Sequence, residues 1–305
     1  MTTSVPSVLQ LATAPSLATE LLRAAVDRRP ARPGEVPSLA VYVPRLSARP
    51  DALARYREEC GFQADGFLPL PYPQVLAAPL HLALLNRPEF PYRLLGMIHV
   101  RNHIQQERRL EEHEPLSIRV WLEGQREVRQ GRELDLHTEV EADGRLVWKG
   151  LTTMLRRLPG AAERTREERP RESTDEEDPS FRDSFPTTWS VTEDTGRRYA
   201  RASGDYNPIH LHALSAKAFG FSRAIAHGMW TVSRCVAELG DRARAPALTL
   251  TSEFKRPLPL PSRVVFQKAP RSEAAVAYRV RGEDGTPHVR GELVTGTPDP
   301  RARKS

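Results

Sequence analysis

One stretch, residues 161–183 (AAERTREERPRESTDEEDPSFRD), is nearly devoid of apolar side chains and carries both signs of charge with Pro170 and Pro179. Such a segment buries too little to fold by itself, and it reads as a linker. It divides the 305 residues into halves of similar size, so an internal repeat is worth seeking. A faint one is present. EVEADGRLVWKGLTT (139–153) has Asp143-Gly144 followed by Gly150, and YRVRGEDGTPHVRGELVT (278–295) has Asp284-Gly285 followed by Gly291. Each looks like a β-hairpin with an Asp-Gly turn. Upstream of each hairpin the order also repeats. A hydrophobic helix (72–85; 227–239) precedes one strand (98–104; 248–258) and then another (116–122; 262–268). A long apolar helix without a clear polar face must be covered on several sides, as when a curved sheet wraps it. Two α+β units packed side by side are therefore expected, against the alternative of two unrelated α+β domains.

Before the first unit, Leu17, Leu21, Leu22, Ala25 and Val26 recur at helical spacing within residues 16–28. A second helical signal follows Pro50, through Ala52, Leu53, Tyr56 and Cys60, and Gly61 ends it. The division expected is an N-terminal extension with a helix (1–34), a first unit (35–160), the charged linker (161–183), a second unit (184–298) and a tail (299–305).

Composition removes several classes of function. The net charge of +6 and pI near 9.6 come from basic residues interleaved with acids, without a dense tract beside aromatics. No nucleic-acid partner is expected, although a positive rim would still favour an anionic ligand. Cys60 and Cys235 lie far apart and outside any Cys-x-x-Cys pair, which suits a reducing cytoplasm and, for Cys60, a buried small side chain. The longest apolar stretch, residues 68–85, is interrupted by Pro69, Pro71, Pro73, Pro79 and His81, so no membrane span is expected. No secretory signal is evident, and the chain lacks a glycine-rich dinucleotide fingerprint or phosphate loop.

The chemistry is concentrated in YARASGDYNPIHLHA, residues 199–213. Gly204 should end a helix that starts after Thr192, and Asn207-Pro208 should force a turn. One rigid loop then offers Asp205 and His210 to the same small space. An acid and an imidazole together suit addition of water to a double bond, where water must be activated and a proton delivered to the adjacent carbon. Taken alone, Asp-x-Asn-Pro is commonly an Asx-type turn. His210-x-His212 would share a face of a strand, but without a third or fourth ligand nearby no metal is expected. Downstream, His227-Gly228-Met229 begins an apolar helix. Backbone N–H groups there lack partners, and a glycine permits close approach by a carbonyl, which makes an oxyanion hole.

Residues 203–210 (SGDYNPIH) together with His227-Gly228-Met229 resemble the signature of MaoC-like (R)-specific enoyl-CoA hydratases, the hydratase 2 type, most strongly over residues 189–294. The first half, through YREECGF (56–62), residues 68–85 and His99-Val100-Arg101-Asn102, is similar to the N-terminal half of double-hot-dog 3-hydroxyacyl-thioester dehydratases. The resemblance implies an α+β double hot-dog, two antiparallel sheets each wrapping a central helix and joined into one continuous sheet. It implies Asp205 and His210 as the catalytic pair and the Gly228 amide as oxyanion donor, with Asn207 and Ser203 bracing the loop. The first half lacks the Asp-x-Asn-Pro-x-His string and should shape an acyl pocket without doing chemistry. The implied reaction is reversible hydration of a trans-2-enoyl thioester to an (R)-3-hydroxyacyl thioester, a hydro-lyase activity of fatty acid metabolism. It needs no cofactor. The substrate would be an acyl-CoA or acyl carrier protein thioester, and the protein a monomer or homodimer. His227, Met229, Lys255 and Arg256 are substrate-binding candidates, the last two for the phosphates of CoA. A thioesterase is disfavoured by His210. A tailoring dehydratase on a polyketide or carrier-bound substrate, and a non-catalytic acyl-thioester-binding protein, remain as alternatives.

Overall fold

The computed structural model describes residues 7–29, 34–94, 96–157 and 178–296. Most of the charged stretch, and the tail from 297 on, lie outside the described residues; residues 178–183 hold a short 3-10 turn, Pro179–Phe181, whose Phe181 is buried.

The first half runs β1 (Ser7–Gln10), α1 (Leu17–Val26), β2 (Leu39–Leu46), α2 (Pro50–Cys60), α3 (Tyr72–Leu85), β3 (Met97–Gln106), β4 (Leu116–Val128), β5 (Gly131–Ala142) and β6 (Arg145–Arg157). The second runs β7 (Thr187–Val191), α4 (Thr195–Ser203), α5 (Ala213–Lys217), α6 (Gly228–Glu238), β8 (Leu248–Phe254), β9 (Ser262–Pro270), β10 (Ala275–Gly282) and β11 (Pro287–Thr295). All strands join one 11-stranded sheet in the order β1-β2-β4-β5-β6-β3-β8-β11-β10-β9-β7. Read inward from its two ends, β2-β4-β5-β6-β3 mirrors β7-β9-β10-β11-β8. The repeat legible in the sequence is thus a pseudo-two-fold, and β3 and β8 pair antiparallel at its centre, with Asn102 opposite Ser252. β1 adds a parallel edge to β2 outside the repeat.

Alternation along the strands points one face at the helices. In β5, Leu134, Leu136, Thr138 and Val140 are buried, and α3 packs over β2, β4 and β5. Leu80 and Leu84 of α3 are fully buried, each stabilising the unit by about 1.5–3 kcal/mol. In the second half α6 contacts β10, burying Trp230, Val232, Cys235 and Val236.

Two local expectations change. The first hairpin has the two-residue turn, with Asp143 and Gly144 both at positive φ (50° and 69°), as a type I′ turn requires. The second hairpin instead has a four-residue loop, in which the Asp284 carboxylate accepts hydrogen bonds from Thr286 N and Oγ1. β8 stops at Phe254 rather than reaching 258, because Pro257 has no N–H to extend the ladder.

The overhanging helices α2 and α4 pack on each other and end alike. Each is closed by a left-handed glycine, Gly61 or Gly204, both at φ 79°. A tyrosine lies five positions before each, and these two, Tyr56 and Tyr199, sit with ring centroids 6.0 Å apart. Across this seam Tyr56 Oη and Ser233 Oγ of α6 lie 2.6 Å apart. Glu59 accepts hydrogen bonds from Arg198 Nε (2.6 Å) and Trp230 Nε1 (3.1 Å). The first half thereby holds the first turn of α6.

Candidate active site

The loop after α4 is built by side chains that satisfy its own backbone. Ser203 Oγ donates to Tyr199 O (2.9 Å) and accepts from Asp205 N (3.2 Å). Asp205 Oδ1 accepts from Asn207 N (3.1 Å), and Asn207 Oδ1 accepts from Ile209 N (3.4 Å). Asp205 is therefore both the Asx turn and the acid of the loop, so the two readings of that motif are compatible. Pro208 then starts a 3-10 turn ending at His210. Ser203 and Asn207, the two residues offered as braces, are each hydrogen-bonded to backbone within the loop.

His210 Nδ1 donates to Ile225 O (2.8 Å). A carbonyl only accepts, so the proton sits on Nδ1 and the Nε2 lone pair is left for chemistry. Burial, reinforced by His227 and opposed by Asp205, pulls the His210 pKa down to about 3. The ring is neutral at physiological pH. The Asp205 side chain is 41% exposed, whereas His210 is buried, so the carboxylate is the more open of the two groups.

His227 has a larger role than its sequence position suggested. Its ring stacks on His210 at 3.7 Å and 28°, and Nε2 donates to Asp205 O (2.9 Å). Burial lowers its pKa as well, so the 3.8 Å approach to the Asp205 carboxylate is not an ion pair at neutral pH. Asp205, His210 and His227 each place one ligand atom within 4.8 Å of the others. That corrects the expectation of no third metal-ligating group near His210. His212, by contrast, is exposed at the start of α5 and lies on no strand. The signal missed was that a helix N-cap seventeen residues downstream folds back onto the loop.

Gly228 opens α6, where its N–H has no intrahelical acceptor. A Cβ added there would lie 2.8 Å from Cε1 of Phe254, so a glycine is needed for the close approach of this ring. Met229 is partly buried against the core. Lys255 is held by Glu253 (3.1 Å), while Arg256 is exposed just beyond Phe254. One concavity of about 1410 Å³ is lined by strands of both halves, including Arg101, Trp121, His137, Arg279 and Arg290, and by none of Asp205, His210, His227 or Gly228.

A family model, the MaoC-like domain, matches residues 171–267, which span this loop and α6. The chain is 34% identical over 256 residues to 3-hydroxyacyl-thioester dehydratase X of Mycobacterium tuberculosis, covering 82% of this chain and 88% of that one. The chain belongs to the MaoC-like dehydratase family. The crystal structure of the same M. tuberculosis protein, HtdX, superposes with a TM-score of 0.70 at 30% identity, over 83% of this chain and 98% of that one. A MaoC-like dehydratase from Phytophthora capsici matches with a TM-score of 0.64 at 16% identity, over 87% and 97% of the two chains, and speaks to the fold alone. The double hot-dog is thus the architecture of this MaoC-like chain. Among the described residues, no helix is long and apolar enough to cross a membrane.

Proposed function

We propose that this MaoC-like protein is a hydro-lyase that reversibly hydrates trans-2-enoyl thioesters to (R)-3-hydroxyacyl thioesters at the loop carrying Asp205 and His210. The observation that carries the reading is the tautomer of His210. With Nδ1–H committed to Ile225 O, the neutral ring presents a basic Nε2. As a water oxygen bonds to C3 of the substrate, Nε2 takes one of its protons. The Asp205 carboxylate accepts a hydrogen bond from the water's other hydrogen and stabilises the imidazolium. Negative charge then moves to the thioester oxygen, which the Gly228 N–H receives. The imidazolium returns its proton to C2, so that one water is added and nothing is oxidised. His227 keeps the loop's backbone and the His210 ring in register.

An acyl-CoA or an acyl carrier protein thioester fits this chemistry equally. Arg256, which is exposed, is the better partner for a CoA phosphate, since Lys255 already pairs with Glu253. The test is loss of crotonyl-CoA absorbance with His210→Ala and Asp205→Asn. Each is expected to lower the hydration rate at least ~100-fold. Rates like the parent's in both variants would remove the assignment.

A further inference from the structure

α1 stands outside the repeat: among the described residues the second half has no α-helix ahead of β7 to match it. Its own sequence starts it and moors it. Ser16 Oγ accepts from Thr19 N (3.4 Å) as an N-cap, which makes Leu17 the first helical residue. On the same turn Glu20 is buried, and a buried carboxylate needs partners. Arg23 Nη1 donates to its Oε1 (2.6 Å), and Asn86 Nδ2, at the end of α3, donates to its Oε2 (2.9 Å) and its backbone O (2.8 Å). Past the helix, Arg29 Nη1 donates to Arg87 O (2.9 Å), and Arg93 donates to the carbonyls of Arg28 and Arg29. All of these partners lie in the first half.

The start of the helix, however, meets the second half. A Cβ added to Gly204 would lie 2.9 Å from Leu17 Cδ2 and 3.8 Å from Leu17 Cβ. Gly204 is the left-handed cap of α4, and the next residue is Asp205. A glycine has no side chain to limit its rotation, so neighbours must fix the direction in which the loop leaves α4. The hydrogen bonds of Ser203, Asp205 and Asn207 lie within the loop and set its shape. Two from outside hold its later part, His227 Nε2 to Asp205 O and His210 Nδ1 to Ile225 O. Leu17 adds an apolar contact at the glycine where the loop begins.

We propose that Leu17 is a positioning residue for Asp205: moored to the first half, α1 sets its first side chain on Gly204 and so fixes the carboxylate that follows. This rests on the hydration reading above. Leu17→Ala is expected to lower kcat for crotonyl-CoA hydration at least ~5-fold with KM within about twofold of wild type, as for a reacting group slightly out of place. Leu17→Met refills the space and should return kcat to within about twofold. Leu21→Ala trims a half-buried residue one turn along the same helix and should leave kcat within about twofold, since it spares the Gly204 contact. Asn86→Ala loosens the mooring with Leu17 intact and should lower kcat in the same direction, which covers a Leu17 variant that does not fold. Amide hydrogen exchange at Asp205 and Asn207 reads the loop without turnover, and Leu17→Ala should speed it at least ~5-fold where Leu21→Ala does not. A wild type inert on enoyl-CoAs would refute the hydration reading alone, and the exchange rates would then decide the positioning. The proposal is overturned if kcat and both exchange rates of folded Leu17→Ala stay within about twofold of wild type, or if Leu21→Ala lowers kcat as much.

Discussion

The two overhanging helices end in the same way and lead to different chemistry. One position after the capping glycine stands Phe62 in the first half and Asp205 in the second; six positions after it stand Phe67 and His210. Phe62 stacks on Tyr56 at 6.0 Å and 8°, and Arg109 lies 4.0 Å over the Phe67 ring. The first half thus has packing where the second carries an acid and an imidazole. The connections differ too. From Gly61 the chain reaches α3 through a short Phe- and Pro-containing loop, whereas from Gly204 it makes a 3-10 turn and α5 before α6. That longer path lets His227 fold back on His210. A duplicated unit can therefore lose its reactive groups and keep its architecture, because hydrophobic contacts and a left-handed glycine specify the shape.

The sharpest way to break this comparison is to substitute matched positions. Asp205→Asn should cost at least ~100-fold in rate while changing stability little. Phe62→Ala should cost up to about 3 kcal/mol of stability, less than a fully buried Phe because the ring is partly exposed, and leave kcat near its original value. Chemical denaturation and initial rates on both variants separate the two effects; a Phe62→Ala protein that is stable but inactive would show chemistry in the first half.

A smaller effect is expected at the seam. Glu59→Ala leaves the Trp230 N–H without its acceptor and takes one carboxylate from Arg198, which keeps Asp194, at about 1–3 kcal/mol. Because Trp230 lies in the first turn of α6, kcat should fall severalfold alongside the midpoint of unfolding. An unaltered kcat in a destabilised protein would mean that the first half does not hold Gly228 in place.

The smallest effect concerns pH. The pKa of His210 is lowered from 6.5 to about 3, and that of His81 in the first half, buried beneath the sheet and 2.7 Å from Thr138 Oγ1, also to about 3. In both cases the unfolded chain binds the proton more readily. Stability is therefore fully present above about pH 6.5 and is lost as pH falls toward 3, by at most ~1.4 kcal/mol per pH unit for each histidine. His81→Leu should flatten this dependence without altering the pH profile of kcat/KM; His210→Leu should flatten it and abolish turnover. Urea titrations from pH 7.5 to about 5 check the slopes.

Much of this was legible before the fold. Tyr72–Leu85 was expected as a helix over the same residues, because a long, mostly apolar run without a clear polar face reads as a helix covered on several sides. The Ser203 to His210 loop was legible because its turn chemistry is local. His99 and Phe254 were not seen as neighbours, since only pairing of β3 with β8 across the halves joins them. His227 could be placed at a helix start, but its stacking on His210 depends on how far α5 carries the chain before it returns. Sequence reasoning reaches contacts made within a turn and misses those that need two distant elements to meet.

The central claim is that the second half adds water stereospecifically through one basic nitrogen on one side of the double bond. Hydration of crotonyl-CoA by the full chain, with chiral analysis of the product, tests it most directly. The (R)-3-hydroxybutyryl thioester is expected, with its formation abolished by His210→Ala; the (S) enantiomer, or no product from any enoyl-CoA or carrier-protein thioester, would contradict the account.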